Sequence, residues 1–71
     1  MKSKYQLVDK LLAGNEEFKL SLFALKFNQI IGKLSSMAYN KFDAKTPSQC
    51  NKIVDYICDN YVPNVLLNKW R

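Results

Sequence analysis

The chain has no histidine, one arginine, two glycines, two prolines, two cysteines and one tryptophan in 71 residues. Each scarcity excludes something. Without histidine the commonest general base and the commonest metal ligand are both missing. Two cysteines are too few for a disulfide-dense secreted scaffold. Cys50 and Cys58 also fall eight residues apart in one expected helix, about 12 Å at 1.5 Å per residue, well beyond the roughly 7 Å that a bridge tolerates. Nor do they form the CxxC spacing of a zinc site. So little glycine and proline argues against a low-complexity or fibrous chain. Long apolar runs are missing too. Lys19, Lys26 and Lys33 interrupt the most apolar region every seven residues, so no transmembrane span is expected. The segment after the basic start, Val8-Asp9-Lys10, is not the uninterrupted apolar stretch of a signal peptide. A reducing, cytoplasmic setting with free thiols is the expectation.

What is present is 48% apolar residues and a formal charge of +5, from eleven Lys+Arg against six Asp+Glu. That is too apolar for a disordered tail and is one small domain, residues 1–71. A single core of this size supplies only about 3–5 kcal/mol, so association with another chain is an expected supplement. Ten lysines and seven asparagines against one arginine are the bias of an AT-rich gene, which suggests a low-GC bacterium, a phage or a mobile element.

Helix punctuation is dense. Tyr5, Val8, Leu11 and Leu12 recur at helical spacing. Gly14 then suits a left-handed C-terminal turn, and Asn15 an N-cap ahead of Glu16 and Glu17. From Glu16 to about Phe42 there is no proline, which predicts a long central helix of about 40 Å. Gly32 and the Ser35-Ser36 pair are the places where it would kink or split. Thr46-Pro47-Ser48-Gln49 is a capping box with proline at the first helical position. Cys50, Ile53, Val54, Ile57, Cys58 and Tyr61 follow as a core-facing stripe, until Pro63 stops the helix. Val65, Leu66, Leu67 and Trp70 imply a short last helix. The expected fold is all-α: a small bundle of three helices plus a short C-terminal fourth, with a long central helix.

For catalysis, only Glu16/Glu17 and Asp55/Asp59 are closely spaced acids, and the second pair reads as a solvated helix face. Both cysteines sit on the apolar stripe, where a free thiol behaves as a small hydrophobe. No enzyme, cofactor, metal or small-molecule substrate is expected. In the central helix, Phe18, Leu20, Leu22, Phe23, Ala24, Leu25, Phe27, Ile30, Ile31 and Leu34 cover well over half the circumference. That is more than short neighbours easily bury, so part of it is expected to meet another protein or a second copy, as in a homodimer. Phe18, Leu22, Phe23, Phe27, Ile30 and Trp70 are the expected partner-binding residues, with aromatic anchors prominent. The function expected is a non-catalytic, protein-binding regulatory module, modulating a larger host protein.

The alternative is a nucleic-acid-binding regulator. Lys19, Lys26 and Lys33 read as a stripe opposite the apolar face. With Lys41, Lys45, Asn51 and Lys52 they form a set able to neutralise phosphates in a salt-dependent manner. Base readout is less well provided for, because arginine is nearly absent and the natural reading helix carries Asp55 and Asp59 outward. Lysines opposite phenylalanines also describe a membrane-surface helix, against which stand the six acidic residues.

Overall fold

The computed structural model describes residues 5–70, the side chain of Trp70 excepted. It is all-helical: α1 (Gln6–Leu12), α2 (Glu16–Leu22), α3 (Phe27–Asn40), α4 (Pro47–Asn60) and α5 (Asn64–Trp70), with no strand among the described residues. α3 and α4 are the principal packed pair. One core joins all five helices through Val8 and Leu12, Phe18 and Leu22, Ile30, Leu34 and Ala38, Cys50, Val54 and Ile57, and Leu66. Phe42, Ala44 and Val62, from the connections, complete it.

The local signals act as read. Gly14 has φ 74°, in the left-handed region where a side chain is penalised. The Asn15 side chain accepts a 2.9 Å hydrogen bond from the Phe18 amide and caps α2. Thr46 Oγ1 accepts from the Gln49 amide at 3.2 Å, and Pro47 opens α4. Gln49 Oε1 reaches back to the Lys45 amide (2.9 Å), one residue beyond the capping-box partner. Pro63 ends the α4 turn, and its carbonyl accepts from the Leu66 and Leu67 amides at the start of α5. The reversal after α3 puts Asp43 at φ 59°, and the Ala44 amide bonds back to the Ala38 carbonyl at 2.9 Å.

The central stretch departs from the sequence-based expectation. It is two helices, α2 and α3, so the described residues form five helices rather than three and a short fourth. The break lies at residues 23–26, while α3 runs unbroken through Gly32 and Ser35-Ser36. Locally, the Phe23, Ala24 and Leu25 amides bond to carbonyls three residues back, a tightened final turn. The Ser21 hydroxyl donates to the Phe18 carbonyl at 2.7 Å, and the Gln29 side chain receives the Lys26 amide at 2.9 Å.

One physical reason favours this break. The buried residues recur in steps of four, and each such step drifts about 40° round a helix. Over the twenty residues from Phe18 to Ala38 the drift reaches about 200°, so the two would face opposite ways. Interrupting the helix resets the phase, and both ends of the stretch then face the same core.

Candidate functional site

The break divides the ten apolar residues of the central stretch. Phe18, Leu22, Ile30 and Leu34 are buried, and Leu25 and Ile31 are half-buried against the core. Leu20, Phe23, Ala24 and Phe27 remain exposed, at 67%, 52% and 51% for Leu20, Phe23 and Phe27. The partner-binding set expected from sequence therefore separates. Phe18, Leu22 and Ile30 are core residues, because the phase reset turns all three inward. Phe23 and Phe27 lie at the exposed corner where α2 gives way to α3. Trp70 ends α5, and its side chain lies outside the described residues.

The lysine stripe also dissolves. On a continuous helix Ile30 would lie only about 20° from Lys19 and about 40° from Lys26, so the row would sit on the core side, not opposite it. In the structure Lys19 belongs to α2, Lys26 to the break and Lys33 to α3. Lys33 is half-buried and serves the fold. Its ammonium donates to Ser21 Oγ at 3.2 Å and lies 5.6 Å from the Phe18 ring centroid, tying α3 to α2. Lys41, Lys45, Asn51 and Lys52 are exposed, the first two flanking the α3–α4 reversal and the others on the outer side of α4.

Three tyrosines converge on one carboxylate. Tyr56 and Tyr61 both donate to Asp9 Oδ1, at 2.6 and 2.5 Å. Tyr5 stacks on Tyr56 with ring centroids 4.1 Å apart, and Tyr61 meets Tyr56 edge-on at 6.2 Å. The hydroxyl of Tyr56, then that of Tyr61, holds the Asp9 carboxyl below its ordinary range. In return the carboxylate pushes the Tyr61 phenol up to about 12. The cluster pins α1 to α4 with half-buried rings, so these aromatics work within the fold. The sequence signal for it was weak, since Asp9 lies some fifty residues from its partners.

Cys50 is buried in the core, and Cys58 is raised by burial and then by the charges of Asp55 and Asp59. No group of three or more Cys, Asp or Glu side chains suited to a metal occurs among the described residues, and no helix there is long and apolar enough to cross a membrane.

A second exposed apolar surface was not anticipated. The apolar arc of α1 is only partly covered: Val8 and Leu12 enter the core, while Leu7 and Leu11, one turn apart, are 52% and 41% exposed. Two adjoining open depressions of about 440 Å³ each share Leu7 and Phe42, and Leu11 lines the second. The first extends over Ile53 to Lys52, the second to Lys10 and Lys41.

No family model, curated protein or solved structure matches this chain. Its surfaces are therefore weighed on their own chemistry. The corner at Leu20, Phe23 and Phe27 offers aromatic and aliphatic area without a polar constellation. The groove along α1 combines apolar area with positive charge.

Proposed function

We propose that the protein is a non-catalytic binding module that engages another protein through the exposed corner at the α2–α3 junction. The observation that carries this reading is the exposure of Leu20, Phe23 and Phe27, three and four residues apart in sequence, around a helix break. Phenylalanine at a solvated corner is disfavoured in an isolated monomer, and aromatic residues of this kind are the usual anchors of interfaces. The limited core of a 71-residue chain supports the same reading, since association adds stability that a small fold lacks. Two unbridged cysteines suit a reducing, cytoplasmic setting. A regulatory role on a larger host protein follows from the small size and the composition.

The corner is tested by Phe23→Asp. Sedimentation of the wild type against this variant reads a second copy, and nuclease-treated pull-downs with both read a different protein. The reading holds when association or capture resists nuclease and is lost with Phe23→Asp while helicity is retained. A wild type that is monomeric, with captures unaltered by Phe23→Asp, overturns it. Nucleic-acid contact is the weaker alternative, because the Lys19, Lys26 and Lys33 stripe is dispersed and Lys33 is engaged with Ser21 and Phe18. A gel shift absent even at about 50 mM salt removes it.

A further inference from the structure

The groove along α1 carries a second interaction, independent of the α2–α3 corner. Its floor is apolar. Leu7 and Leu11 project one turn apart from a seven-residue helix whose adjoining face, Val8 and Leu12, is already in the core, and Phe42 and Ile53 extend the floor toward α4. Leu7 and Leu11 stand about 100° round the helix from Val8 and Leu12, so the apolar arc of α1 runs past the part that the core covers and its edge is open. The rim is cationic, with Lys10 on α1, Lys41 at the end of α3 and Lys52 on α4 bordering the two depressions. Asp43 is the one acidic residue that lines them.

We infer that this groove binds an acidic amphipathic helical segment of a partner protein, whose aliphatic or aromatic anchors meet the Leu7–Leu11–Phe42–Ile53 floor and whose carboxylates face Lys10, Lys41 and Lys52. The occupant follows from the two chemistries together. A phosphate backbone satisfies the lysines but gains nothing from leucines one helical turn apart. A second copy of the chain brings a like charge of +5 against the same lysines. A small molecule is poorly retained, because both depressions are open rather than enclosed. An amphipathic helix presents anchors at i, i+3/i+4 and i+7 along one face and charge on its flanks, the pattern that an apolar floor between lysines complements.

The probe is a synthetic glutamate-rich peptide of about 16 residues, long enough to form helix on binding, with leucines at i, i+3/i+4 and i+7. A scrambled peptide of identical composition and a single-stranded oligonucleotide of similar length serve as controls. Amide shifts on titration at about 50 mM salt are expected to centre on Leu7, Leu11, Phe42 and Ile53, with affinity falling as salt rises. Leu7→Ser is expected to weaken the patterned peptide roughly ten-fold, and Lys10→Glu combined with Lys52→Glu to do the same. These positions are exposed, and unchanged circular dichroism reports that each variant is folded. Phe23→Asp leaves this binding intact, so failure at the corner and failure at the groove are read separately. Equal binding of the scrambled peptide or the oligonucleotide, with no effect of Leu7→Ser, overturns the inference in favour of simple polyanion attraction. Shifts that fall outside the groove, or none at all, also overturn it.

Discussion

Leu22 and Phe23 are neighbours of similar hydrophobicity, yet the structure assigns them opposite roles, which makes the pair a direct test of the α2–α3 break. Leu22 is fully buried, at 0% exposure, while Phe23 is half exposed. Truncating a buried leucine to alanine costs about 2–5 kcal/mol, from lost transfer energy and the cavity left behind. A core of this size supplies only about 3–5 kcal/mol, so Leu22→Ala removes most of the stability. At roughly 4–8 °C per kcal/mol for a domain of this length, Tm falls by about 8–40 °C, or the chain is unfolded at room temperature. Phe23→Asp touches a corner that stays in water, and its effect on monomer stability is held to within about 1 kcal/mol. Thermal and urea unfolding of both variants, followed by far-ultraviolet circular dichroism at several protein concentrations, makes the comparison. Concentration matters because a self-associating wild type gains stability by mass action that Phe23→Asp would lose; dilute samples isolate the monomer. A Phe23→Asp variant that melts as low as Leu22→Ala when dilute refutes the break, since Phe23 would then belong to the core. So does a Leu22→Ala variant that melts within a few degrees of the wild type.

The two glycines are expected to respond with opposite signs. Gly14 has φ 74° with nothing within 4 Å of an added Cβ, so Gly14→Ala costs about 1 kcal/mol from backbone strain alone. Gly32 lies inside α3 facing open space, and Gly32→Ala stabilises by about 0.5–1 kcal/mol; urea midpoints check both. Thr46→Ala removes the cap on the Gln49 amide and costs about 0.5–2 kcal/mol in the same assay. The Asp9 cluster predicts two pH limbs. Asp9 sits below its ordinary value, so its contribution is present above the unfolded value of about 4 and is lost as pH falls through the lower folded value. Tyr61 is raised to about 12, so its contribution is complete below the ordinary phenol value near 10 and is lost as pH rises through about 12. Tm measured against pH is expected to lose the acid limb in Asp9→Asn, and Tyr61→Phe to reduce both limbs, since the Tyr56 phenol is also raised by its hydrogen bond to Asp9.

Much of the secondary structure was legible because it is written in local chemistry. The left-handed turn at Gly14, the Asn15 and Thr46 caps, Pro47 at the first turn of α4 and the stop before Pro63 each depend on backbone geometry within a few residues. Cys50, Val54 and Ile57 entered the core as their spacing implied. The break after Leu22 carried a signal that periodicity counting passed over. Lys26 stands four residues from both Leu22 and Ile30, in the row the core requires to be apolar on a continuous helix. The lysine spacing of seven made that residue look like part of a solvent-facing stripe.

The amino-acid sequence by itself determined an all-helical chain, most of its helix ends and the inward face of α4. The tertiary structure alone decided how the surplus of apolar side chains is shared between core and surface. Phe18, Leu22 and Ile30 are covered, Leu20, Phe23 and Phe27 are not, and Leu7 and Leu11 open onto a lysine-edged groove. It also joined Asp9 to Tyr56 and Tyr61 across the chain. The reason is that caps and turns are satisfied within one helical turn, whereas the outward or inward direction of a side chain depends on the phase of its helix against neighbours distant in sequence. A four-residue break resets that phase for everything that follows.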